Sequence, residues 1–511
     1  MAARAPRDDA DPTAFATRRG GIFGFAVKSL ALLAAAGVSA CTVGPDYLRP
    51  EAPVSAGFKE LKGWKPAHPS DAMEKGRWWA IFRDPELDRL ASQVEVTNQN
   101  VASQLAAYEQ AQALVRESQA SLFPSLSATW SGQRSGDGKA LSGVGRTLAS
   151  GVSYPQGNVS WTLDVWGKVR RQIENSAASA QSDLATLENA KLSAQAQLAI
   201  AYFNLRTQDM LRALLARTIT AYQETQRITR NQYNSGTVSQ ADLITAETQV
   251  LAVQAQYEAA AVSRAQYEHA IAALIGRPPA DLTIKTGGLP HLPPAVPATL
   301  PSTLLERRPD IAAAERTMQA QNALVGVAVA AYYPEISFSA GGGFQGANAF
   351  PFTAAHLIWS IGAQATDPIF DGGLRAAQTE AAQASYRMAV ANYRQTVLTA
   401  FQQVEDELVA LRLMARELKL QEQARDKAAE AVKVYLNQYR AGTVAFTTVV
   451  VAEATLLSDE ESVLTTRQSL FNATVYLIEY LGGGFDASEL LAEQPPPLTE
   501  AVARSLPIPP Q

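Results

Sequence analysis

Two stretches of this chain, QYNSGTVSQADLITAE (Gln232 to Glu247) and QYRAGTVAFTTVVVAE (Gln438 to Glu453), align without a gap at a constant shift of 206 residues. The match continues to Leu274-Ile275-Gly276 against Tyr480-Leu481-Gly482, and upstream Leu205-Arg206 answers Leu411-Arg412 at the same shift. Earlier still, SLFPSLSATW (Ser121 to Trp130) resembles AYYPEISFSA (Ala331 to Ala340). A repeat of roughly 200 residues constrains the fold more than any single motif, because each copy must build the same unit and bury its faces against a neighbour.

Both copies share one rhythm. A helical stretch, residues 86–122 or 302–332, is ended by Pro124 or Pro334, since proline lacks an N–H and crowds the preceding turn. Alternation follows. In EISFSAGGGF, Ile336, Phe338 and Ala340 fall on one face and Ser337 and Ser339 on the other, which is strand periodicity. A Gly-, Ser- and Pro-rich loop leads to a second strand, around NVSWTLDVW (Asn158 to Trp166) or LIWSIGAQATDPIF (Leu357 to Phe370). Past Gly167, or Gly372-Gly373, run proline-free segments rich in Ala, Gln, Leu, Glu and Arg, over residues 168–232 and 374–440. As one helix, such a segment is a rod of roughly 100 Å. A Gly-Thr turn (Gly236-Thr237, Gly442-Thr443) sends a shorter helix back towards Gly276 or Gly482. Leu184, Leu187, Leu198 and Phe203 are spaced for a narrow, Ala-rich coiled-coil stripe.

Two strands per copy give four per chain. No segment after Cys41 has 18 consecutive apolar residues, so any spanning structure is expected to be made of strands. In lipid a sheet must close on itself to satisfy its backbone. Four strands are half the smallest bacterial barrel, so chains would have to combine. Two would give eight strands with a filled interior, and three would give twelve with a lumen.

The chain has one cysteine, Cys41, in VSACTVGPDY. Arg18, Arg19 and Lys28 precede the apolar LALLAAAGVSA, the order of a secretory signal with a small-residue cleavage site. The junction Val-Ser-Ala-Cys resembles a bacterial lipoprotein signal, in which the cysteine is acylated and becomes the first mature residue. Acyl methylenes, each worth roughly 0.8 kcal/mol when buried, would hold the chain to a membrane. Thr42, not an aspartate, follows; in such lipoproteins that implies outer-membrane sorting. A net charge of −5 gives no basic field for nucleic acid.

RWWAIFRDPELDRL (Arg77 to Leu90), LFPSLSA, LDVWGKVRR, RRPDIAAAE, PIFDGG, YRAGT and YLGGGF, in this order after a lipoprotein cysteine, resemble the TolC-type outer-membrane efflux lipoproteins, the NodT branch in particular. The resemblance covers nearly the whole mature chain. It implies an α+β membrane protein: a homotrimer sharing one twelve-stranded transmembrane β-barrel, with a long α-helical coiled-coil barrel in the periplasm. It further implies palmitate on Cys41, a Gram-negative outer membrane, a periplasmic adaptor, an inner-membrane pump that is proton-driven, and no cofactor. The domains expected are a signal peptide (1–40), an N-terminal periplasmic segment (41–85), repeat 1 (86–284), a Pro-rich linker (285–301), repeat 2 (302–484) and a tail (485–511).

By this resemblance the turns Gly236, Thr237, Gly442 and Thr443 form periplasmic tips that narrow the tunnel. Many relatives carry acids just after the second turn. Here those places hold Thr448 and Val451, so that acidic ring does not carry over. Copy one keeps Asp242, aligned with Thr448, and Glu247 aligns with Glu453; these three acids, with Asn234 and Tyr439, are the candidate gate residues. Three aspartates near an axis would attract cations; the plainer role is a helix N-terminus, which favours an acid anyway. Tyr439 matches a tyrosine that relatives use to hold the closed tip. Asn234 and Val444 stand where charged partners often occur, which implies a weaker closing network.

Other motifs argue for little. GGGFQG (Gly341 to Gly346) fits a dinucleotide fingerprint, but the following ANAFPF starts no helix. His68, His269, His291 and His356 are dispersed, without metal spacing. Trp130, Trp161 and Trp359 fall on the strands, as girdle residues at lipid headgroups or as plain packing. No constellation supports an enzyme. The reading is therefore an efflux duct for small toxic compounds or drugs. The alternatives are a type I protein-secretion channel and a non-conducting coiled-coil envelope lipoprotein.

Overall fold

A computed structural model describes residues 42–52, 57–60, 77–135, 150–296, 307–348 and 350–483. Cys41 and the expected signal segment, residues 297–301 of the expected linker and the expected tail lie outside them.

The first helix, α1 (Pro85–Thr97), opens with proline at its first position, and the Asp84 carboxylate accepts the N–H groups of Glu86 and Leu87 at 2.9 and 3.1 Å. The reading of residues 86–122 as one helix is corrected here: the chain breaks at Asn98. Asn98 takes an extended conformation, its Oδ1 accepts from the N–H groups of Asn100 and Val101, and its Nδ2 donates to the Leu274 carbonyl. One asparagine thus caps α2 (Gln99–Ala120) while pinning it to a distant helix end.

Strands β1 (Ser125–Ser135) and β2 (Ser150–Leu163) follow, then α3 (Lys168–Asn234) and α4 (Gln240–Leu274). The second half contains α5 (Pro309–Ala330), β3 (Glu335–Phe344), β4 (Leu357–Thr366), α6 (Leu374–Arg440) and α7 (Phe446–Tyr480). The helices α3 and α6 each have 67 residues and start 206 residues apart, as do the 35-residue α4 and α7. At 1.5 Å per residue the long helices reach about 100 Å.

Positive-φ glycines turn strand into rod: Gly167 at φ 81° and Gly373 at φ 90°. Neither has a side chain to cap the helix, and an upstream aspartate does so instead. Asp164 accepts from the backbone of Val169 and Arg170, and Asp371 from that of Gly373 and Arg375; each also binds the arginine side chain.

Within the helical body, α3 packs on α2, α4, α5 and α7, while α6 packs on α5 and α7. Alanines (Ala194, Ala196, Ala199, Ala201) let the rods approach, and Leu198, Phe203, Phe471, Leu477 and Ile478 fill the core. The segment 77–82 plugs one side: Trp78 and Trp79 are buried, their indole N–H groups donate to Gln195 and Asp88, and Phe82 meets Phe203 at 4.8 Å.

The sheet is antiparallel in the order β1-β2-β3-β4. β2 begins at Ser150, eight residues before the expected Asn158, and β4 ends at Thr366. Its register sorts side chains by polarity. Leu126 faces Val159, Trp161 faces Phe338, Phe338 faces Ala363 and Ala340 faces Ile361, while Ser125 faces Ser160, Ser160 faces Ser339 and Ser337 faces Gln364. One face is apolar and the other polar. Gly341–Gly343 of the dinucleotide-like motif are ladder residues of β3. No described helix is long and apolar enough to cross a membrane.

Candidate functional site at the helical tips

The first tip is built by backbone demand. Helix α3 ends at the exposed Asn234; Gly236 takes φ 72°, and both the N–H and the hydroxyl of Thr237 return to the Gln232 carbonyl at 2.9 Å. Ser239 then caps α4. Its hydroxyl accepts the Asp242 N–H at 3.2 Å, and the Asp242 carboxylate accepts from the Ser239 N–H and hydroxyl at 3.2 and 2.9 Å. In the single chain Asp242 therefore serves its own helix. Glu247, one turn on, pairs with Arg230 at 2.6 Å, both half exposed.

The second tip repeats the turn at Gly442 (φ 73°) and Thr443, which binds the Gln438 carbonyl. Its chemistry differs. Ala445 stands at the cap of α7 and offers no side-chain bond. Tyr439 is buried, 5.4 Å from the Phe446 ring, in a cluster with Ala246 and Val449. Its hydroxyl lies 3.2 Å from the Thr229 hydroxyl of α3. Burial raises the Tyr439 phenol above its ordinary pKa; the Thr229 bond opposes this, and the nearby charge of Asp242 adds to it.

Glu453 is the outlier. It is 5 % exposed; its Oε1 accepts from the Thr225 hydroxyl at 2.8 Å, and its Oε2 is buried with no hydrogen-bond partner among the described residues. Desolvation pushes this carboxyl up to about 7, with the Thr225 bond pulling the other way.

Tyr439 and Glu453 thus meet adjacent turns of α3, while Asp242 lies near enough to act on Tyr439; Glu247 pairs with Arg230 instead, and Asn234 is exposed. Sequence reasoning missed Thr225, Thr229 and Arg230. The signal was the spacing of Tyr222, Thr225 and Thr229, three and four residues apart on one buried helical face. Thr448 is half-buried and Val451 exposed, both lining a groove of about 460 Å³ between α6 and α7 with Tyr435 and Thr447.

At the other end, Trp161 donates to the Leu122 carbonyl, Trp130 to the Ser153 hydroxyl, and Trp359 is 75 % exposed on the apolar face. No cluster of His, Cys, Asp and Glu able to hold a metal occurs among the described residues.

Comparison with known proteins agrees with this architecture. The chain is 30% identical over 465 residues to the probable efflux pump outer membrane protein TtgC of Pseudomonas putida, covering 90% of this chain and 96% of that one. It is 30% identical over 460 residues to nodulation protein T of Rhizobium leguminosarum bv. viciae, covering 89% and 92%. The solved outer-membrane channel OprN superposes with a TM-score of 0.80 at 28% identity, over 87% of this chain and 99% of that one. With residues 90–277 and 300–483 both matching the family described as Outer membrane efflux protein, the chain belongs to that family.

Proposed function

We infer that this protein is the outer-membrane exit duct of a tripartite efflux system, closed as a trimer around a shared barrel and a helical tunnel. One observation carries the reading: the four-stranded sheet is apolar on one face and polar on the other, and β1 and β4 have no outer partner among the described residues. Leu126, Trp359 and Ile361 on the apolar face are 75–80 % exposed. In water such a face and two open edges would drive aggregation; in lipid they are the outer wall of a barrel whose missing staves come from copies of the chain.

The helices support the same closure. Inside one chain α3 packs on α7, burying Leu214 and Leu457 in one cluster. Shifted by 206 residues, these become Leu420 on α6 and Leu251 on α4, which are 66 % and 65 % exposed. A neighbour's α4 against α6 would bury them as Leu457 and Leu214 are buried, and would turn one seam into a ring.

The N-terminal segment supports the lipid anchor on Cys41. Val43 donates to the Trp166 carbonyl, Arg171 binds Asp46 at 2.8 Å, and Asn322 donates to the Pro45 carbonyl. Thr42 lies against Gly167, where a Cβ would sit 2.5 Å from its methyl. These contacts hold residue 42 at the junction of sheet and rods, level with the membrane surface in this reading. An acyl chain one residue earlier would reach the inner leaflet.

The tips form the periplasmic gate and meet an adaptor and a proton-driven inner-membrane pump; the pump selects the cargo, small toxic compounds rather than proteins. Asp242 contributes to the gate as a ring of three. The test is the mass of the detergent-solubilised complex with single-channel conductance in a planar bilayer. Three chains and an open passage are expected; a folded monomer without conductance would overturn the reading. Asp242→Ala should lower cation selectivity, and unchanged selectivity would remove Asp242 from the gate.

A further inference from the structure

The seam between the two hairpin tips contains a carboxyl group that neither capping nor ion pairing explains. Glu453 of α7 is sealed within the single chain, so assembly with neighbours does not reach its Oε2. Its one hydrogen-bond partner among the described residues is the Thr225 hydroxyl of α3, and one turn further along α3 the Thr229 hydroxyl meets Tyr439 of α6. Three helices from both hairpins are thus fastened by two neighbouring polar contacts in an otherwise apolar seam. We propose that Glu453 is a proton-operated latch: neutral, it fastens the second hairpin's tip to the first through Thr225; ionised, it loosens that seam and favours the open tip.

The surroundings favour this. An ionised carboxylate with one hydroxyl donor and one unpartnered oxygen is far more costly to bury than a neutral carboxyl in the same place. The described titratable groups around it supply no cation. On α3, Tyr222 is buried and destabilised as a phenolate by the charge of Glu453 first, then of Glu460 and Glu461 of α7, after burial itself. On α6, Tyr439 faces Asp242 of α4. Arg227 and Arg440 act on the exposed Glu224, and Glu453 has no ion pair among the described residues.

The sign follows from the closed seam holding its proton more tightly than an open one. With the group raised from its ordinary 4.5 to about 7 in the closed tip, closure is fully favoured below about 4.5. That preference is lost as pH rises to about 7, and nothing further changes above. One linked proton moves the closed-to-open ratio by about tenfold per pH unit within that window.

The proposal rests on the duct reading, and the experiment separates the two. Open probability of the full-length protein in planar bilayers is measured from pH 5 to pH 8. In parallel, the distance between spin labels on Thr237→Cys and Thr443→Cys is followed over the same range. The wild type should open by about tenfold per pH unit up to about 7, with the label distance lengthening in step. Glu453→Gln, which keeps the acceptor for Thr225 and cannot ionise, should stay flat on both readouts, with unchanged helical content by circular dichroism. A flat wild type, or a Glu453→Gln variant that responds like it, overturns the latch. A pH-dependent distance abolished by Glu453→Gln, in a protein that never conducts, would uphold the latch and overturn the duct.

Discussion

Tyr233 and Tyr439 stand 206 residues apart at equivalent places in the two hairpins, as do Glu247 and Glu453, yet their surroundings are opposite. Tyr233 is 39 % exposed and Tyr439 is 3 %. Glu247 lies half exposed beside Arg230, whereas Glu453 is buried against Thr225. Identical residues in aligned sequence therefore do different jobs. The cause is packing: α3 of the first hairpin lies against α7 of the second, so Tyr439 of α6 and Glu453 of α7 are buried while Tyr233 of α3 and Glu247 of α4 stay partly exposed. In the proposed trimer, such a chain has one finished seam and one unfinished one.

The largest effect should come from the unfinished seam. Leu420→Asp with Leu251→Asp places charges where the proposed neighbours meet, and should abolish the trimer while leaving the helical content of the chain intact. Leu214→Ala and Leu457→Ala, the equivalent positions in the finished seam, should do the reverse. Each removes a buried side chain at a cost of about 2–5 kcal/mol and lowers the unfolding midpoint. Mass measurement in detergent and thermal unfolding read the two outcomes. A double aspartate variant that still forms trimers would mean that α4 and α6 are not the contact between copies.

The finished seam offers a finer test. Thr225→Val leaves the Glu453 carboxyl without its one partner, at a cost of about 1–3 kcal/mol in tip stability. Because that bond opposes the upward push of burial, its loss should move the midpoint of tip opening to higher pH, not abolish the response. Tyr439→Phe should do less. The Thr229 hydroxyl donates to the Thr225 carbonyl, so removing the phenol oxygen leaves its proton satisfied on α3. A midpoint that moves down in Thr225→Val would contradict the assigned direction of that hydrogen bond.

Much of this architecture is legible in the amino-acid order because it is local. Proline-free runs of good helix formers give α3 and α6 nearly to their observed ends, and Gly236 and Gly442 mark both reversals. Alternating residues give β3 and β4 for the same reason. Two local features escape. Asn98 breaks a helix because it can serve Leu274 and the start of α2 at once, and a contact across 176 residues leaves no trace in periodicity. β2 starts early through Gly151, Pro155 and Gly157, residues that read as turn formers until paired with β1 and β3. The tip chemistry is less legible still. Aligned glutamates look alike until α3 meets α7, and threonines within a charged helix read as a solvated face. Beside the Tyr222, Thr225 and Thr229 spacing, the substitution of Arg230 in copy one by Leu436 in copy two, at the aligned place, hints that the second tip turns inward.

That same substitution sets the smallest effect. Arg230 and Glu247 are 54 % and 40 % exposed, so their 2.6 Å contact is screened by water and salt. Glu247→Gln should therefore change stability by no more than about 1 kcal/mol, and a double-mutant cycle with Arg230→Gln should give a coupling that shrinks as salt is raised. Glu453→Gln has no partner charge to lose, so its effect should follow pH and be indifferent to salt. If the Glu247 coupling resisted salt, the first tip would be buried in the assembled protein. The two tips would then be equivalent after all, and the contrast between them a property of the isolated chain.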